Sequence, residues 1–102
     1  MGKYKVIQVG CGKMSTYTMK YALDKGYEIV GALDISSELI GKDIGNVLGN
    51  GDTGVIIEDI ANLNDLILRV KPDIAIVTTT SLIGELDEIL TTLASNGVNA
   101  IT

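Results

Sequence analysis

Two spacings of apolar residues alternate along the chain: a continuous β-branched run and a helical repeat. Residues 4–9, "YKVIQV", form a short apolar run that stops at Gly10. Residues 13–25 then place Met14, Tyr17, Tyr21 and Ala22 at helical spacing, and Gly26 follows where a left-handed cap closes a helix. "EIVGALD", residues 28–34, predicts the next strand. Strand, glycine turn, helix and strand within about 30 residues make a βαβ unit.

Residues 35–54 are less regular. Leu39, Ile40, Ile44 and Val47 fit a helix, but Gly41, Gly45 and Gly49 interrupt it, so the segment predicts a short, imperfect helix and then a turn through "GNGDTG". "VIIE", residues 55–58, predicts a short third strand. Residues 62–70 predict a helix with Asn62 as N-cap and Asp65 in the first turn, where negative charge is favoured. Pro72 ends that helix, because the residue before a proline is pushed out of the α region. "DIAIVTTT", residues 73–80, is the most strand-like segment of the chain. Residues 82–95 repeat apolar residues at helical spacing, close at Asn96 and Gly97, and lead into the strand-like "VNAIT" of residues 98–102.

Five strands alternating with helices predict an α/β fold: a Rossmann-type, doubly wound parallel sheet in three αβα layers, truncated after the fifth strand. Val6, Ile7, Val9, Ile29, Val30, Ile74, Ile76 and Val77 should be mostly buried between two helical layers. The 102 residues read as one dinucleotide-binding domain, residues 1–102, with a substrate domain expected to follow Thr102.

Composition narrows the function classes. A net charge of −5 without any basic stripe argues against nucleic acid as a partner. With one cysteine and no histidine, no internal disulfide and no Cys/His metal cluster is expected, and a reduced, cytoplasmic setting follows. No apolar run approaches the roughly 20 residues of a membrane span. Association of identical copies is left open.

The candidate chemistry sits in "QVGCGKMS". Pyrophosphate binding requires backbone close to the anion and N–H groups at a helix start aimed at it, which Gly10 and Gly12 provide for turn and close approach. Ser15 stands where the third glycine of this turn usually packs helix against strand. Lys13 and Met14 open the helix beside the expected pyrophosphate, although an exposed helix lysine is the commoner reading of Lys13. Asp34 ends the second strand 22 positions after Gly12, close to the roughly 20 at which an acid accepts hydrogen bonds from ribose hydroxyls. The competing reading of Asp34 is a cap or Asx turn at a strand end. No arginine follows it to grip a 2′-phosphate, which favours NAD over NADP, with Ser36, Ser37 and Lys42 as the residues that would narrow the gap. Thr79 and Thr80, in "VTTTS" at the end of the fourth strand, would line the nicotinamide side or simply form a strand tip, with Ser81 capping the following helix. The chain carries no catalytic acid–base set near the glycine turn, so no catalytic residue is assigned and the isolated chain is expected to be inactive.

On "VIQVGCGKMSTYTMKYALDKGYEIVGALD", "IGKDIG", "KPDIAIVTTTS" and "NGVNAIT", the chain resembles the amino-terminal cofactor domain of 2,4-diaminopentanoate dehydrogenases, enzymes related to dihydrodipicolinate reductase. The resemblance implies NAD(P)-dependent oxidative deamination of a small diamino acid. It further implies a dinucleotide held by Gly10, Gly12, Lys13, Met14 and Asp34 and approached by Thr79 and Thr80, with the substrate residues in a following domain. Two other readings remain: an NAD(H)-sensing module without chemistry, and an imine reductase of the dihydrodipicolinate reductase type.

Overall fold

The computed structural model describes residues 4–10, 13–35, 37–49, 53–78 and 83–101; for Lys13, Met14 and residues 83–87 it describes the helical backbone alone. In chain order the elements are β1 (Lys5–Val9), α1 (Lys13–Asp24), β2 (Glu28–Asp34), α2 (Ile44–Leu48), β3 (Ile57–Asp59), a 3₁₀ turn (Ile60–Asn62), α3 (Leu63–Val70), β4 (Ile74–Val77), α4 (Ile83–Ser95) and β5 (Asn99–Ile101). The strands pair in parallel in the order β3-β2-β1-β4-β5, which is the Rossmann-type arrangement the strand–helix alternation predicts.

Side chains alternate across the sheet, and the two faces carry separate cores. Ile7, Val9, Leu33, Ala75 and Val77 pack with Leu63, Leu66 and Ile67 of α3 and with Ile89 and Leu93 of α4. On the opposite face Ile29, Ala32 and Ile57 pack with Met19 of α1 and with Ile44 and Leu48 of α2. Three layers result. At Gly31 in β2 the contact is so close that an added Cβ would lie 2.7 Å from Leu66 Cδ2.

Local chemistry explains the boundaries. α1 and α4 both end on a left-handed glycine, Gly26 and Gly97, at which the next N–H reaches back five residues, from Tyr27 to the Ala22 carbonyl and from Val98 to that of Leu93. α3 stops at Lys71, whose own N–H bonds to the Ile67 carbonyl. The proline behind it does exclude the α region, yet Lys71 turns left-handed, at φ 48°, rather than extended.

Two expectations need correction. Asn62 makes no side-chain cap; Asp59 instead caps the preceding 3₁₀ turn by accepting from the Ala61 N–H, a turn that apolar spacing does not reveal. The third strand begins at Ile57, because Ile56 forms an antiparallel bridge with Asp43 and the Val55 carbonyl accepts from Ile44 N. The eight strand residues expected in the core are mostly buried: five are fully so, and Val30, Ile74 and Ile76 are half-buried. For Ile76 the reason is plain: it lines an open hollow of ≈ 420 Å³ between Tyr17 and Tyr21 of α1, Tyr27 and Ile101.

Candidate dinucleotide site

The carboxyl ends of β1, β2 and β4 lie level with one another. Val9 is in register with Leu33 on one side and with Val77 on the other. Gly10 N donates to the Leu33 carbonyl at 2.8 Å, and Thr78 N donates to the Val9 carbonyl at 2.9 Å. The first residue of the glycine turn is thus clamped between Asp34, which ends β2, and Thr78, which follows β4. This is the point where the chain's crossovers change from one half of the sheet to the other, and ligands of open α/β sheets bind at such a point.

Gly10 has φ +96°, a conformation that side chains rarely adopt, so the turn needs glycine here. α1 starts at Lys13, directly after the turn, as the spacing predicts. Asp34 is 9% exposed, and its Oδ1 accepts from Ile35 N at 2.6 Å. That bond is to the adjacent N–H rather than to the one two residues on that an Asx turn uses, and it fixes the carboxylate at the sheet edge. Ser15, in the place of the third glycine, is 1% exposed: the helix accommodates its small side chain within the packed interface. Gly12, Thr79 and Thr80 lie outside the described residues, as do Cys11 and the side chains of Lys13 and Met14.

Pattern reading misses a polar cluster beneath the turn. Gln8, fully buried in β1, donates from Nε2 to the Gly10 carbonyl at 2.8 Å and to Thr78 Oγ1 at 3.0 Å. The Thr78 hydroxyl donates to the same carbonyl at 3.1 Å. The Thr18 hydroxyl of α1 lies 3.2 Å from Gln8 Oε1 and 2.9 Å from the Ser15 carbonyl, and donates toward both. The available signal was the amide interrupting the apolar run "VIQV" in a strand predicted to be buried.

Asp43 is a second residue missed. It is 7% exposed, and its carboxylate accepts from Gly45 N, Thr53 N, the Thr53 hydroxyl and Gly54 N at 2.7–2.9 Å. The Thr53 hydroxyl and N–H, with the Gly45 and Gly54 N–H groups, hold its pKa down from 3.8 to about 2, against the opposing effect of burial. One side chain thereby ties the start of α2 to Thr53 and Gly54, which lead into β3. On the far edge Arg69 pairs with Glu58 at 2.7 Å, which raises the guanidinium pKa; the pair is exposed and adds little to stability. Among the described residues no group of three or more His, Cys, Asp or Glu could hold a metal ion, and no helix is long and apolar enough to cross a membrane.

Sheet order, glycine turn and strand-end acid together define a Rossmann-type domain. Residues 4–102 match the family model described as dihydrodipicolinate reductase, N-terminus, and the chain belongs to that family of NAD(P)-binding domains. It is 30% identical over 93 residues to the 4-hydroxy-tetrahydrodipicolinate reductase of Methanothermobacter thermautotrophicus, a match covering 89% of this chain and 33% of that protein. An amine dehydrogenase from Mycobacterium smegmatis superposes with a TM-score of 0.85 at 32% identity, over 97% of this chain and 29% of that one. RSP, a Rex-family repressor, shares the fold at a TM-score of 0.75 and 23% identity, over 94% of this chain and 42% of its own. A second RSP structure, in complex with β-NADH, has a TM-score of 0.73. The chain spans about a third or less of the reductase and the amine dehydrogenase.

Proposed function

We propose that this chain is the cofactor domain of an NAD(P)-dependent oxidoreductase acting on an amino or imino acid, and that the full-length protein oxidatively deaminates 2,4-diaminopentanoate. The observation that carries the reading is the placement of Gly10 and Asp34 side by side at the carboxyl edge of adjacent strands, with a helix starting at Lys13. The residues fit a dinucleotide. The turn at Gly10 and Gly12 and the start of α1 would hold the pyrophosphate, with Lys13 supplying charge and Met14 lying alongside. Asp34 would accept from the adenosine ribose hydroxyls, and Thr79 and Thr80 would face the nicotinamide side. When bound, the cofactor supplies hydride acceptance and donation. This chain's own work is to bind it, orient it and keep its phosphates away from carbonyl oxygens.

NAD is favoured over NADP for want of an arginine after Asp34. Substrate recognition and proton transfer belong to a domain following residue 102, and the 102 residues alone bind without turnover. The 32% identity to an amine dehydrogenase supports an amine as the substrate class. The test is an assay of the full-length protein for NAD⁺ reduction with 2,4-diaminopentanoate, run beside NAD(P)H oxidation with the dihydrodipicolinate-type imine. Reduction of NAD⁺ by the diamino acid is expected; activity with the cyclic imine alone would assign the chain to the reductase branch instead.

A further inference from the structure

Gln8 stands in the middle of β1, where every neighbour on the strand from Val6 to Val9 is apolar and buried. Burying an amide is costly unless its hydrogen bonds are made. Here both Nε2 protons and the Oε1 acceptor are engaged, so the cost is met by a specific arrangement. The amide's orientation is dictated by chemistry, because the Gly10 carbonyl can only accept and must face Nε2. Gly10 O in turn receives two donors, Gln8 Nε2 and the Thr78 hydroxyl.

We propose that Gln8, with Thr78, is the positioning residue of the pyrophosphate site: it holds the Gly10 carbonyl inward so that this oxygen does not face the dinucleotide. The proposal rests on the dinucleotide reading above. A glycine at φ +96° has little steric resistance to rotation of its peptide plane. In a trans peptide the N–H points opposite to the C=O, so donors that hold a carbonyl inward also turn the amide sharing its plane outward. Without those donors the plane is free to flip, and a flip replaces a donor with an acceptor beside two phosphates. Such preorganisation of backbone dipoles is what makes an anion site effective. Because the same amide bonds Thr78, the turn also moves as one body with the tip of β4, from which Thr79 and Thr80 continue.

The experiment measures affinities of the 102-residue chain for NADH, ADP and adenosine by calorimetry and ligand-observed NMR, in the native protein and in Gln8→Leu, Thr78→Val and Gln8→Glu. Gln8→Leu should weaken NADH and ADP about tenfold and leave adenosine unchanged, since adenosine does not reach the turn. Thr78→Val should shift the same two ligands in the same direction by less, and it keeps the test alive should Gln8→Leu fail to fold. Gln8→Glu supplies a readout that packing alone does not move. Its carboxyl donates to the Gly10 carbonyl only while protonated, so its NADH affinity should fall as pH rises through roughly 5 to 8, the range of a raised, buried carboxyl, while the native affinity stays flat. Equal losses for adenosine and ADP would reduce Gln8 to a structural role and overturn the proposal. So would an unchanged NADH affinity in folded Gln8→Leu, with native binding intact. A native chain that binds neither NADH nor ADP overturns the cofactor reading itself and this proposal with it.

Discussion

Asp43 and Asp34 are both buried acids, and their surroundings give them different work. Asp43 is enclosed by donors from its own loop, and its pKa of about 2 lies below the ordinary 3.8. A depressed folded-state pKa means that the native state favours the ionised form. The stabilisation is therefore complete above pH 4 and is lost as pH falls from about 4 through about 2. Asp43→Asn should lower stability at neutral pH, and the gap between variant and parent in denaturant unfolding should close as pH falls toward 2. A gap that stays constant with pH would place the effect in packing instead. Asp34 ends β2 at the edge proposed for the cofactor, where a carboxylate would accept from ribose hydroxyls but repel a 2′-phosphate. A charge-assisted hydrogen bond contributes roughly 1.5 to 3 kcal/mol, about ten- to hundredfold in affinity. NADH should bind more tightly than NADPH, by less than the upper end of that range because Lys42 is exposed nearby in sequence. Asp34→Ser with Ile35→Arg should reverse the order, as paired dissociation constants would read out; a parent that already prefers NADPH contradicts the role given to Asp34.

Elements whose apolar spacing is uninterrupted were legible in the sequence. β1, α1, β2 and β4 follow from β-branched runs, helical repeats and a glycine cap, and Asp34 was placed at a strand end by counting from the turn. What pattern could not supply are features made by single polar contacts. The 3₁₀ turn before α3 depends on Asp59 accepting from Ala61 N, and the shift of β3 depends on the bridge between Asp43 and Ile56. α2 shrinks to Ile44–Leu48 because Asp43 caps it at one end and Gly49, at φ +78°, stops it at the other. Gln8 was hidden for the same reason, its partner Thr78 being 70 residues away. The packing of α3 on β2 depends on the missing side chain at Gly31. Gly31→Val should cost about 1–3 kcal/mol, through displacement of Leu66 and Ile7, and lower the melting temperature. An unchanged melting temperature would mean that α3 sits less tightly on the sheet than described.

For the molecule as a whole, sheet order places the glycine turn at the crossover point, and the family match over residues 4–102 agrees with that architecture. The second face of the sheet is covered unevenly: α1 and α2 lie over β1, β2 and β3, leaving Ile76 and Ile101 beside the hollow lined by Tyr17, Tyr21 and Tyr27. Binding by the 102 residues should accordingly be weak, micromolar to millimolar, because the proposed site supplies the adenosine and pyrophosphate half and, among the described residues, nothing would enclose a nicotinamide. The central claim is tested most directly by NADH titration of the native chain and of Gly12→Val, whose branched side chain would stand where the pyrophosphate must lie. Saturable binding by the native chain and none by a folded Gly12→Val protein is the predicted result. Equal affinity in the two, with the variant folded, would contradict the account.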